Sequence, residues 1–333
     1  MEFEQIGQAD VDRLRPLWLM LHAHHQQVAP ELAPYVDDDR SWSVRRALYE
    51  EVLGERGFAV VARDEGSDIG YAVGAFEPTL WPATLVGAPE VAELETLLVR
   101  PEWRGRGVGS ALLEEFEERA RAAGFTDMVI GVVPGNTGAE QLYRRRGFVP
   151  TVLSLSRFSR PPEGDGTSDA PVEPVPASDI DTLRPLWLEL HHHHQRVGPE
   201  LGPFASDDVS WGHKRPKLER AAEEGLLLRI GPPEAPQAMA SVLIDRDNPL
   251  WADTWVTGRD VADVDVLSVT AEARGQGLGS ALLDAIDERL AGAGVHDQVI
   301  EILAPNTAAG RLYGRRGFRP AWLCLSRFAP RLG

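Results

Sequence analysis

The sequence predicts an α/β protein built from two tandem copies of one domain. Three observations carry that prediction. They are a repeat that spans the whole chain, an alternation of strand-length and helix-length apolar patterns, and a strand–glycine turn–helix unit at the same place in each copy. Leu14-Arg15-Pro16-Leu17-Trp18-Leu19 returns as Leu183-Arg184-Pro185-Leu186-Trp187-Leu188, and Ser41-Trp42 as Ser210-Trp211, each 169 residues later. From Trp81/Trp251 onward the spacing is 170, through Arg104/Arg274, Asn136/Asn306, Tyr143/Tyr313 and Ser156-Arg157-Phe158/Ser326-Arg327-Phe328. A spacing constant to one residue describes duplication of a domain, not a short solenoid repeat. The copies are expected at 1–159 and 172–333. The linker between them, 160–171, is rich in Pro, Gly, Asp and Ser and too poor in apolar side chains to bury a core.

The elements follow from period and punctuation. A strand at 3–6 precedes a helix that Asp10 can cap, which runs to about Val28 with Pro16 near its start. A second helix is expected over 42–53, then strands at 58–62, 69–76 and 94–99. A helix from Ser110 to about Ala123 is stopped by Gly124. A strand at 128–133, a helix at 137–146 ended by Gly147, and a strand at 152–158 close the domain. In the second copy Gly231-Pro232-Pro233-Glu234-Ala235-Pro236 replaces the turn at 64–68, and Pro216 is expected to interrupt the stretch matching Ala47.

Composition bounds the function. The 333 residues suffice for two ordinary domains. A hydrophobic content of 43% with 26% charged residues reads as a soluble globular chain, and a net charge of −17 excludes a basic nucleic-acid footprint. No apolar run approaches a membrane span, and Met-Glu-Phe-Glu-Gln is unlike the basic start of a signal peptide. Cys324 is the only cysteine, so no intrachain disulfide forms and a cytoplasmic setting is expected. Its counterpart is Ser154, and it reads as a strand residue. Lys214 and Lys217 are the only lysines among 34 basic residues, which reads as compositional bias.

The glycine turn carries the chemistry. After the apolar run at 94–99 and Pro101 come Arg104-Gly105-Arg106-Gly107-Val108-Gly109-Ser110, and the second copy has Arg274-Gly275-Gln276-Gly277-Leu278-Gly279-Ser280. The first amides of a helix lack internal partners and sit at the positive end of its dipole, and glycines let a phosphate approach the backbone. A Walker loop would need Gly-Lys-Ser/Thr, and the dinucleotide fingerprint would need a glycine where Ser110 stands. The spacing that fits is Arg/Gln-x-x-Gly-x-Gly/Ala. With the surrounding strand, proline and amphipathic helix, it resembles the GNAT superfamily of acetyl-CoA-dependent acyltransferases, over essentially the whole chain outside the linker.

That resemblance implies a mixed sheet in each copy and acetyl-CoA (coenzyme A) held by each turn. It implies thioester-binding amides near Leu98–Val99 and Ser268–Val269, where the strand bulges and splays from its neighbour. Asn136 and Asn306 are expected to contact the cofactor arm, and Tyr143 and Tyr313 to protonate the departing thiolate. Phenol titrates near ~10 and a thiol near ~8.5, so such a donor need not be ionised beforehand. Glu93 and its equivalent Asp263 occupy one position where the family carries a base. Glu301 occupies another, where the first copy has Gly131. Glu95 and Asp265 alternate with Glu93 and Asp263, which places them on the same strand face. The implied partner is the primary amine of a small molecule, with neither nucleic acid nor membrane. Association into a homodimer stays open, as does a single active copy (as in mycothiol synthase, another tandem GNAT) or a non-catalytic acetyl-CoA sensor.

His22 and His25 fall on one helix face with Trp18, and His191, His194 and Trp187 repeat them. With no third ligand in sight, no metal is expected. These six residues are expected to shape the acceptor pocket or the contact between copies. Asp37-Asp38-Asp39 and Asp207-Asp208 read as solvated acidic loops able to attract a cationic acceptor.

Overall fold

The computed structural model describes residues 1–79, 81–158, 160–163, 170–246 and 252–329. The expected linker therefore lies partly outside the described residues, as does Trp251. In the first copy β1 (Glu2–Ile6) leads into a 3-10 turn over Gln8–Leu14, and α1 (Arg15–Val28) follows. Asp10 lies in the first turn of that 3-10 segment and does not cap it; Gly7 precedes it. Pro16 sits in the first turn of α1, where a missing N–H costs nothing. Then come α2 (Asp38–Glu55), β2 (Gly57–Asp64), β3 (Ser67–Pro78), β4 (Glu90–Val99), α3 (Val108–Ala122), β5 (Met128–Val132), α4 (Thr137–Arg145) and β6 (Val149–Arg157).

The second copy repeats this order. It runs β7 (Glu173–Pro174), α5 (Arg184–Val197), α6 (Asp207–Glu224), β8 (Leu226–Ile230), β9 (Ala238–Arg246), β10 (Asp260–Val269), α7 (Leu278–Gly292), β11 (Asp297–Leu303), α8 (Thr307–Arg315) and β12 (Arg319–Arg327). The helix α6 runs straight through Pro216, against expectation. Pro216 is exposed and Gly212, four residues earlier, is also exposed, so the freed carbonyl there faces water.

The strands form one mixed sheet in the order β1-β2-β3-β4-β5-β12-β6-β11-β10-β9-β8-β7. The last strand of each copy has crossed over. β6 does not close the first copy: it pairs antiparallel with β11, and β12 pairs antiparallel with β5. The two crossed strands also pair with each other, Leu153 opposite Leu323, at the midpoint of the sheet. The cores follow the strands. Leu325 packs among Phe116, Ile130 and Tyr143, and Leu155 among Ile286, Ile300 and Tyr313. Arg157 pairs with Asp287 on α7 and stacks 4.8 Å over Phe318, while Arg327 bonds Glu117 on α3 and stacks 4.5 Å over Phe148.

A second exchange links the copies above the sheet. Backbone bonds join Val86 N to Pro203 O (2.9 Å) and Ala205 N to Thr84 O (3.0 Å). Their counterparts join Val36 N to Thr254 O (3.2 Å) and Val256 N to Pro34 O (2.9 Å). The loop before β4 therefore covers the second copy, and the loop before β10 covers the first.

Candidate acetyl-transfer sites

Each glycine turn adopts the backbone that its residues permit. Gly105 and Gly107 have φ of 74° and 87°, and Gly275 and Gly277 have 77° and 80°, a region that side chains other than glycine enter at a cost. Gly107 and Gly277 are the residues immediately before α3 and α7, so the first-turn amides of both helices open outward. A Cβ on Gly105, Gly107 or Gly275 would meet nothing within 4 Å, so open space lies over the turn. Arg104 folds back, its Nε donating to Val99 O at 3.2 Å, and Arg274 does the same to Val269 O at 3.2 Å. These two arginines tie the turn to the strand end.

The strands splay as expected. β4 pairs with β5 over Ala92–Leu94 only, although β4 continues to Val99; β10 pairs with β11 over Val261–Val264 and continues to Val269. The bulge lies earlier than Leu98–Val99 and Ser268–Val269. The register against β3 shifts at Glu95, and that against β9 shifts at Val264 and Asp265. An extra residue there twists the strand away from its partner.

The opening in the first copy is a cleft of about 590 Å³ between Leu98, Val99, the turn, Asn136 and Tyr143. The matching cleft over Arg274–Ser280 measures about 510 Å³. Asn136 and Asn306 cap α4 and α8, each side chain accepting from the third residue on at 3.3 Å. Glycine-freed backbone, first-turn donors and an adjoining slot fit a diphosphate with a pantetheine arm. His24, on the same helix as His22 and His25, lines this cleft beside Asn136 and Arg104. Burial, then Arg104, holds its imidazole below the ordinary value, and His193 sits likewise beside Arg274 and Asn306. Sequence reading missed both, because it followed the face that carries Trp18.

That other face builds the core. His22 is fully buried and its Nε2–H donates to Val36 O at 2.9 Å; His191 does the same to Ala205 O at 2.8 Å. They latch the segments that follow α1 and α5. Trp18 donates to Ser41 Oγ (2.9 Å) and carries Arg45 over its ring at 4.2 Å. His25, 6% exposed, is held neutral at about 3 by burial and then by Arg45. Trp187 and His194 do line the second copy's chamber. The acidic loops belong to the helix starts: Asp37 accepts from Arg40 N at 2.8 Å, Asp39 pairs with Arg15, and Asp208 with Arg184.

The second copy's chamber, about 170 Å³, brings together Asp263, Glu301, Tyr313 and Asn306. Trp81, Ala83 and Val152, all from the first copy, close its wall. Trp81 Nε1 donates to Glu301 Oε2 at 3.3 Å and Ser154 Oγ to Glu301 Oε1 at 2.9 Å. Ser210 Oγ, which accepts from Trp187 (2.9 Å), donates to Ala83 O at 2.6 Å. Burial raises Asp263 to about 7, and Asp265, Glu301 and Asp245 add to it. Burial also pushes Tyr313 and Tyr143 well above the ordinary phenol range, so both stay protonated.

The first copy differs at the same rung of the sheet. Glu93 is also raised, by burial and then by Glu95 and Glu77. No side chain stands at Gly131, and a Cβ there would fall 2.0 Å from Nε1 of Trp322, whose counterpart in the second copy is Val152. Arg45 is buried between Glu95 (3.7 Å) and Asp253, a residue of the loop before β10. Ala83 stands at the matching place over the second copy. Cys324 lies on β12 between Gly131 and Val152, and burial raises its thiol out of the reactive range.

Comparison with known proteins agrees with this geometry. The Acetyltransferase (GNAT) family matches residues 19–148 and again 187–318. The chain is 28% identical over 247 residues to a mycothiol acetyltransferase of Geodermatophilus obscurus, covering 68% of this chain and 70% of that one. It is 26% identical over 333 residues to one of Nocardiopsis dassonvillei, covering 93% and 91%. In fold it is similar to a GCN5-related N-acetyltransferase of Sphaerobacter thermophilus, with a TM-score of 0.60, 17% identity and coverage of 99% and 96%. The repeated turn, the splayed strands and the two family matches together place this chain in the GNAT family, as an N-acetyltransferase with two copies of the fold in tandem.

Proposed function

We propose that the protein transfers the acetyl group of acetyl-CoA to the primary amine of a small molecule by direct attack on the thioester. The observation that carries this is the second copy's chamber, where a raised carboxylate, a second carboxylate and a protonated phenol meet beside the point at which β10 parts from β11. In this reading the backbone amides of the turns at Arg104–Ser110 and Arg274–Ser280 hold the diphosphate. Bound acetyl-CoA supplies the activated acyl carbon. Asp263, with Glu301 beside it, takes the proton that the ammonium must lose. The amide bond forms as the carbon–sulfur bond breaks, the nitrogen sheds its second proton to water, and Tyr313 gives one to the sulfur and is reprotonated from water. Amides near Ser268 and Val269 steady the charge on the carbonyl oxygen. Glu93 and Tyr143 are the corresponding pair in the first copy.

The pairing of Gly131 with Trp322 favours a second reading, in which the second copy alone carries the chemistry and the first binds acetyl-CoA. Calorimetry with acetyl-CoA should count two sites. Coenzyme A release with an amine panel, measured for Tyr143→Phe, Tyr313→Phe and the double variant, tests the roles. Loss of activity in Tyr313→Phe alone supports the second reading, and loss shared by both single variants supports two active copies. Binding without turnover of any amine would leave a sensor.

A further inference from the structure

The only two lysines of the chain both line the second copy's chamber. Lys214 takes the place of Arg45. It donates to both oxygens of Asp265, at 2.9 and 2.8 Å, and lies 4.6 Å from the centre of the Trp187 ring. Lys217, nearly one turn further along α6, stands 3.7 Å from the same carboxylate, which also accepts from Ser241 Oγ at 3.2 Å. One carboxylate thus faces two ammonium groups and is already satisfied by the first. Lys217 is the second cation on that carboxylate, 48% of its side chain is open to water, and its field reaches Asp263 as well.

Across the chamber the sign reverses. Among the described residues Asp263 makes no hydrogen bond or ion pair, and Glu301 accepts only from the neutral donors Trp81 and Ser154. Asp263 and Asp265 flank the bulge of β10, and both line the chamber together with Lys217. The first copy has no such polarity: Leu48 stands where Lys217 does, and Arg45 is locked by Glu95 and Asp253.

We propose that the acceptor of the second copy is amino-acid-like, a primary amine that also carries a carboxylate, with the amine beside Asp263 and Glu301 and the carboxylate paired with Lys217. This rests on reading the chamber as the acceptor site. A dipolar ligand meets the carboxylates with its amine and the half-open Lys217 with its carboxylate, whereas a plain amine brings a second cation into the same chamber as Lys217. Lysine presents a point charge on a flexible stem, suited to a carboxylate at the mouth of a chamber.

The test uses the full-length protein, acetyl-CoA and a panel of L-amino acids, each beside its carboxamide, with thiol release and product mass as readouts. Acids are expected to exceed their carboxamides in kcat/KM by about ten- to a hundredfold, the range of a charge-assisted hydrogen bond. Lys217→Gln should collapse that ratio toward one, and Lys217→Arg should retain most of it. Equal turnover of acids and carboxamides by the parent protein, or a ratio unchanged in Lys217→Gln, overturns this proposal alone. Bound acetyl-CoA with no turnover of any amine overturns the acceptor reading together with it.

Discussion

In the proposed reaction Asp263 is the single residue whose surroundings fit a carboxyl group to act as a base. Its environment raises it to about 7 through burial first and neighbouring carboxylates second. A base works only when deprotonated, so kcat/KM for the second copy is expected to rise with pH through about 7. Asp263→Asn should flatten that limb and lower the plateau by roughly a hundredfold or more. The same shift has a stability consequence of definite sign. A carboxyl raised in the folded state binds its proton more tightly there than in the unfolded chain, so its stabilising contribution is present at low pH. It is lost as pH rises from the ordinary value of 3.8 to about 7. Asp263→Asn is therefore expected to raise Tm at pH 8 and to leave it nearly unchanged well below the ordinary value. A variant less stable than the parent at pH 8 would contradict this account.

At the scale of elements, the glycine turns and the strand–helix order were legible because φ preference and apolar period are local properties. Gly277 illustrates it: its spacing from Arg274 announced the turn, and its φ of 80° is the reason for glycine. Gly277→Ala should cost roughly 1–2 kcal/mol of stability through backbone strain. In the reading given above it should also weaken acetyl-CoA binding at the second turn, which calorimetry would report as one weakened site beside one intact site. Other features depend on which element meets which, and no local pattern encodes that. The face of α1 bearing His22 was expected to shape a pocket or the contact between copies; its Trp18 and Leu21 pack with β2 and β3 in the core, and His24 on the neighbouring face reaches the cleft. Trp81 reads as a loop tryptophan of the first copy. Only the loop exchange sets it against Glu301. Gly131 likewise gave no sign of Trp322, which comes from the opposite end of the chain. Gly131→Ala should destabilise by about 1–3 kcal/mol because the indole must move, and a smaller residue at Trp322 should relieve the loss.

The crossing of β6 and β12 was invisible for a physical reason that bears on the whole molecule. Both strands end in Ser-Arg with a Phe following, and each arginine finds a carboxylate and an aromatic ring at the same place in either copy. Either strand therefore fits either slot, and sequence alone cannot choose. In the crossed arrangement the first copy's core includes Leu325 and the second copy's includes Leu155, so neither core is complete without the other half of the chain. Opening one copy strips a central strand from the other, which couples their unfolding. The intact protein is expected to show a single calorimetric transition with equal van't Hoff and calorimetric enthalpies. A protease site placed within 164–169 and then cleaved should leave the halves together on size exclusion, because β6 lies between β12 and β11 and separation would break three strand pairings. If the strands closed their own copies instead, no strand would be shared and only the buried loop exchange, which includes Ser210 to Ala83 and Arg45 to Asp253, would join the halves, so the intact chain would be expected to melt in two steps.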